Sequence, residues 1–237
     1  MSSGTWELTP GVIWVHSGSD AIKSTSDDYI AALDVRVGLP WETMLGIGMP
    51  YYIKSKQEAG DDSGFGDLSL RVWKQFMAQG DTNPSLVGSL NYIAPTGEDS
   101  DIPGALGSDF HSLGVQLNAS KTIDPMVLYG DLFYNYVFSE RINGIKIQPG
   151  SYIGARGGIS LAITPEMTGN IGLSISFIGE LEEDGIKIDG SEQTVGFLEL
   201  GAGYLINKWL FFSLFADIGI TDDAPDIVLG VSLPTRF

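Results

Sequence analysis

The chain has 237 residues, 13 basic against 30 acidic side chains for a formal net charge of −17, and no cysteine. Disulfide frameworks, thiolate metal sites and cysteine nucleophiles are therefore excluded, and so negative a chain is repelled by a nucleic-acid backbone. Only 18% of residues are charged, below the roughly 25% usual in soluble proteins, and apolar residues recur along the whole length, which excludes disorder.

No stretch reaches the roughly 18 uninterrupted apolar residues of a spanning helix. The longest candidate, Tyr204 to Ile220, is cut by Asn207, Lys208, Ser213 and Asp217. The opening Met1-Ser2-Ser3-Gly4 shows neither the basic nor the apolar region of a signal peptide, so an exported form is expected to have lost its leader upstream.

Period-two alternation instead predicts twelve strands, over residues 5–16, 28–39, 42–54, 65–77, 85–94, 110–121, 127–140, 151–164, 167–180, 194–205, 209–221 and 226–237. Leu39-Pro40-Trp41-Glu42, Ile123-Asp124-Pro125-Met126, Thr164-Pro165-Glu166-Met167 and Ile206-Asn207-Lys208-Trp209 read as tight reversals, with Gly80–Pro84 slightly longer. Proline cannot continue a ladder, and Asp or Asn initiates a turn. Between these reversals, residues 17–27, 55–64, 95–109, 141–150, 181–193 and 222–225 read as polar loops, mostly longer. Short turns at one end and long loops at the other are the pattern of an outer-membrane barrel. No capped helix, linker or second domain is visible, so residues 1–237 form one domain.

Alternation alone fits a soluble sandwich as well; the chemistry of the polar face separates the two. In the strand over residues 167–180, Ile171, Leu173, Ile175 and Phe177 oppose Asn170, Gly172, Ser174 and Ser176. A soluble sheet would coat that second face with Lys, Glu and Thr. Gly, Ser, Asn and isolated charges suit the wet inside of a barrel, with the apolar face toward lipid, where no open edge is tolerated.

Aromatic residues support this by clustering at the strand ends. Trp6, Trp41, Phe76, Tyr204, Trp209 and Phe237 fall near the short-turn end; Trp14, Tyr29, Tyr51, Tyr92, Tyr136 and Phe177 fall near the long-loop end. Such girdles mark the two membrane interfaces. The last strand places Ile227, Leu229, Val231 and Leu233 on one face and ends at Phe237, which looks like the signal for outer-membrane assembly, with Thr235 a departure from the apolar pattern. The expected fold is all-β: a twelve-stranded antiparallel up-and-down transmembrane β-barrel.

Gly64-Phe65-Gly66-Asp67-Leu68-Ser69-Leu70, then Ala94-Pro95-Thr96-Gly97-Glu98, then Ala119-Ser120-Lys121 resemble the outer-membrane transporters associated with phenol-degradation (meta-pathway) operons. Within that broad family the chain is most similar to the exporters of functional amyloid in pseudomonads, from Phe65 to Phe237. The resemblance implies a twelve-stranded barrel, a homotrimer, and outward passage of unfolded amyloid subunits in biofilm formation. Those exporters carry a longer N-terminal region with a periplasmic helical plug; this chain starts just before the first strand, so gating residues are not assigned.

Strand parity turns Asp34, Arg36, Asp67, Arg71, Asp131, Arg156, Glu199 and Asp217 inward, because a lipid-facing arginine near the midplane costs about 2–4 kcal/mol. These charges either set up a transverse field that selects solutes or pair and fill the lumen. Asp27, Asp28, Glu58, Asp61, Asp62, Glu98, Asp99, Asp101, Glu182, Glu183, Asp184, Asp222 and Asp223 fall at the long-loop end. They make a mouth that favours cations, an effect that fades with salt. Asp61-Asp62 and Asp99-Ser100-Asp101 match no complete calcium loop, so no metal or other cofactor is expected.

Catalysis is not expected. Only His16 and His111 could act as a base near neutral pH, and each neighbouring serine, Ser17 or Ser112, points to the opposite face. The expected role is an outer-membrane channel in contact with lipid and lipopolysaccharide, carrying a secreted polypeptide. A pore for small, aromatic or hydrophobic solutes and a closed structural or adhesive barrel are the alternatives.

Overall fold

The computed structural model describes residues 1–19, 24–57, 60–98 and 106–237. In chain order the strands are β1 (Trp6–Ser19), β2 (Ser24–Leu39), β3 (Thr43–Gln57), β4 (Gly60–Phe65), β5 (Leu68–Met77), β6 (Ser85–Ala94), β7 (Ser112–Ile123), β8 (Met126–Val137) and β9 (Glu140–Ile142). They continue as β10 (Ile145–Gln148), β11 (Tyr152–Ala162), β12 (Met167–Ile178), β13 (Glu182–Glu183), β14 (Ile186–Lys187), β15 (Gln193–Leu205), β16 (Phe211–Gly219), β17 (Ile227–Ser232) and β18 (Thr235–Arg236).

Every pairing is antiparallel, and the sheet closes on itself where β17 and β18 return to β1, with Trp14 opposite Leu229 and Glu7 opposite Arg236. The result is a twelve-stave barrel. Two staves are interrupted: β4 and β5 are separated by Gly66-Asp67, and β17 and β18 by Leu233-Pro234. Pro234 has no amide to donate to a ladder, while its carbonyl still accepts from the Phe211 amide at 3.0 Å.

The distribution of apolar surface rules out a sandwich. Among the described residues Leu106, 1% exposed, is the one fully enclosed hydrophobic side chain, whereas Ile171, Leu173 and Phe177 are each more than half exposed. Their neighbours Asn170, Gly172, Ser174 and Ser176 share the other face. The apolar rows therefore look outward, as a lipid solvent requires.

The expected loops are corrected at several places. Residues 17–19 and 24–27 extend β1 and β2, and residues 55–57 and 60–64 extend β3 and form β4. Asp27 thus belongs, like Asp28, to a strand and not to a loop. Residues 141–150 and 181–193 contain hairpins, closed by Asn143-Gly144 and Asp184-Gly185, all four with φ between 49° and 88°. That is the geometry of a type I′ turn, which Asn-Gly and Asp-Gly favour. The hairpins β9–β10 and β13–β14 pair through Ile147 with Glu183 and Gln148 with Glu182, a four-stranded sheet standing beyond the barrel rim. Glu58, Asp99 and Asp101 lie outside the described residues.

Candidate functional site in the barrel lumen

Ladder register settles which way each side chain points, because partners across a strand pair share a face. The row Glu7–Arg36–Gly46–Arg71–Asn91–Gly114–Asn135–Tyr152 runs around the inner wall. The row Asn118–Asp131–Arg156–Ser174 lies beside it, and Glu199 pairs with Gly172 and with Asp217. Asp34, Arg36, Arg71, Asp131, Arg156, Glu199 and Asp217 fall on this inward parity, while Asp67 stands between β4 and β5, outside the ladder.

Their partners differ. Arg156 Nε donates to Glu199 Oε2 at 2.5 Å. Asp131 Oδ1 accepts from Gln116 and Asn118, both at 2.9 Å, so its charge is held by neutral amides. Arg36 reaches Glu7 at 3.4 Å, and the other oxygen of Glu7 accepts from Arg236 Nε at 2.7 Å. Arg71 Nε donates to Asn91 Oδ1 at 3.2 Å. Asp67 serves the fold, accepting from the Gly97 amide at 3.0 Å and from the Ser108 amide and hydroxyl at 2.7 and 2.8 Å. It thereby ties both ends of the connection between β6 and β7 to the wall.

Sequence parity did not single out Glu7, Arg236, Trp73 or Tyr129, which complete this surface. Trp73 sits over Gly46, with the guanidiniums of Arg36 and Arg71 at 5.3 and 5.4 Å from its ring centre. Tyr129 lies against Gly158 and Gly172, with Arg156 at 5.6 Å from its ring. Phe133 covers Gly154, Phe211 covers Gly203 and Phe215 covers Gly230 in the same manner. A glycine beneath each ring lets it lie against the wall, where a Cβ would push it into the lumen. The signal was an inward aromatic whose ladder neighbourhood holds an inward glycine.

Two spaces open between these side chains. One, of about 490 Å³, is bounded by Trp73, Gln116, Tyr129, Asp131, Arg156 and Asn170. The other, of about 200 Å³, is bounded by Arg71, Asn91, Gln116, Phe133, Asn135 and Tyr152. Ser89 and Gln116 line both, so the spaces adjoin.

The expected interfacial aromatics all lie outside. Trp6, Trp41, Trp209 and Phe237 are exposed near the short-turn end, and Tyr136 packs edge-on against Phe138 near the other. Trp14 donates to Asp27 at 3.1 Å, and Tyr92 stacks on His111 and bonds its Nδ1 at 2.6 Å. Phe237 and Trp6 exchange backbone hydrogen bonds at 2.9 and 3.2 Å, while Leu233 points outward.

Several carboxylates of the expected acidic mouth are engaged. Asp27 faces outward and bonds His16 Nδ1 at 2.9 Å; Asp28 faces inward and accepts from Ser55 at 2.6 Å. Asp61 pairs with Lys54 at 2.6 Å. Beyond the membrane span, the hydrogen bond and charge of Glu180, 3.1 Å away, hold Lys187 above the ordinary lysine pKa. No group of three potential metal ligands forms among the described residues.

A family model described as "Putative MetA-pathway of phenol degradation" matches residues 3–237. An outer membrane channel from Pseudomonas putida F1 superposes with a TM-score of 0.86 at 15% identity, over 100% of this chain and 97% of that one. The NanC porin gives 0.62 at 9% identity, over 98% and 100%. The translocator domain of the autotransporter NalP from Neisseria meningitidis gives 0.55 at 11%, over 100% and 90%. The fold is that of outer-membrane barrels, and the structures it resembles include a channel and a porin.

Proposed function

Because this chain belongs to the family described as "Putative MetA-pathway of phenol degradation" and folds as an outer-membrane channel, we propose that it is a diffusion pore for small solutes. The observation that carries this reading is the lumen itself. Arg156 pairs with Glu199 and Glu7 with Arg36 and Arg236 along the wall, rings lie flat over glycines, and the adjoining spaces of about 490 and 200 Å³ are in or below the size range of small-molecule sites. An extended polypeptide needs one continuous bore wide enough for every side chain it carries. A small solute is the cargo that spaces of this size support.

Polar and charged walls let a solute exchange its hydration for fixed amides and ion pairs, weakly enough at each point to leave again. Glu98, Asp222 and Asp223 at the outer end, with an excess of acids in the whole chain, give cations the advantage at low salt. The reading predicts steady ion current from refolded protein in a planar bilayer, with cation preference that declines from 0.1 to 1 M KCl as the Debye length falls from about 10 to 3 Å. Absence of current would favour a closed structural barrel. Blockade by an unfolded amyloid polypeptide, together with a trimer in detergent, would favour export.

A further inference from the structure

The smaller lumen space differs in charge from the rest of this acidic chain. Among the described residues that line it, Arg71 is the only charged one. Its sole side-chain hydrogen bond runs from Nε to the neutral amide of Asn91, so both Nη groups, beside the Trp73 ring, remain as donors without a side-chain hydrogen-bond partner among the described residues. Asn135 is 5% exposed, and its amide, set over Gly114, has no hydrogen-bond partner among the described residues. That amide reaches the lumen space, where a ligand group can pair with it. Beside them Phe133 and Tyr152 meet edge-to-face with ring centres 6.3 Å apart.

We propose that Arg71, Asn91 and Asn135, with the Phe133 and Tyr152 rings, form a lumen subsite for a small aromatic monocarboxylate. The two free Nη groups of Arg71 match the two oxygens of a carboxylate, the strongest pairing a guanidinium makes. The Asn135 amide donates a further hydrogen bond, and the ring of the ligand packs against Phe133 and Tyr152. At about 200 Å³ the space is below the roughly 300–1,000 Å³ of drug-sized pockets, which suits one ring and not two. The adjoining larger space carries Asp131 beside Arg156 and offers an anion no such net attraction. The subsite deepens the small-solute reading and rests on it: an anion that the mouth disfavours is retained once inside.

The test is calorimetric titration of benzoate into the refolded, detergent-solubilised barrel, with folding checked by its heat-modifiable mobility. Benzoate is expected to bind more tightly than acetate, which lacks the ring, and than benzamide, which lacks the charge. Arg71→Gln is expected to weaken benzoate by about tenfold or more. Asn135→Asp, nearly isosteric and tolerant of the same packing, is expected to abolish binding by placing a carboxylate in the site. Binding of benzoate that survives both substitutions, or that acetate and benzamide equal, overturns the subsite. Potassium current measured on the same preparation reports separately on the pore, so a barrel that conducts without binding benzoate retains the first reading and loses the second.

Discussion

Arg156 and Glu199 meet at 2.5 Å although their strands are not neighbours; β12 runs between them and presents Gly172 at the crossing. A Cβ there would stand 3.3 Å from Glu199 Oε2 and 2.6 Å from the Tyr129 hydroxyl, so the bare glycine leaves room for Tyr129 and for the pair beside it. Glu199→Gln leaves the guanidinium without its partner and adds net positive charge to the lumen. The reversal potential in a KCl gradient is expected to move toward anions. Stability in detergent should fall by about 1 kcal/mol, since lumen water screens a partly exposed pair. An unchanged reversal potential would place this pair outside the ion path.

Gly157 and Gly158 are adjacent yet should differ sharply on substitution. A Cβ on Gly158 would lie 2.5 Å from the Ile171 carbonyl oxygen and against the Tyr129 hydroxyl, whereas one on Gly157 meets nothing closer than 3.7 Å. Gly158→Ala is expected to destabilise by about 1–3 kcal/mol, as overpacking does, and to reduce conductance by displacing Tyr129. Gly157→Ala should leave the urea midpoint and the current near wild type. Equal effects at both positions would contradict the flat-ring account of the wall.

The outward and inward faces can be compared within one strand. Leu173 is 56% exposed on the outer face, and Ser174 sits opposite Arg156 on the inner one. Leu173→Arg is expected to cost about 2–4 kcal/mol in lipid, read as a lowered folded fraction in refolding titrations. Ser174→Arg should fold and alter ion selectivity instead. Reversal of that pattern would invert the assignment of the two faces.

Asp67 holds the Gly97 and Ser108 ends of one connection through three hydrogen bonds. Asp67→Ala removes all three acceptor contacts while leaving the barrel ladders intact. Faster cleavage by added protease near residues 106–110, with the barrel core still protected, is the expected outcome in proteoliposomes. A digestion pattern identical to wild type would show that the connection is held by other contacts.

The staves and the inward charges were legible because both faces of a membrane strand leave a chemical trace: Leu173 against lipid and Ser174 against water cannot be exchanged without cost. Beyond the membrane both faces meet water, and that constraint vanishes. Residues 141–150 and 181–193 therefore alternate only over Ile145-Lys146-Ile147-Gln148 and Ile186-Lys187-Ile188-Asp189, too short to read as staves, and Asn143-Gly144 and Asp184-Gly185 are what announce their hairpins. Glu7 and Arg236 escaped notice for a different reason. They lie far apart in sequence and become partners only where the last strand closes on the first. Trp73 and Gly46 likewise require a cross-strand register, which a single strand read alone does not supply.

The sheet formed by β9, β10, β13 and β14 rises on one side of the entrance, whereas β16 and β17 are joined by residues 220–226 alone. A large body approaching from outside the cell meets a parapet over one arc and a low sill over another.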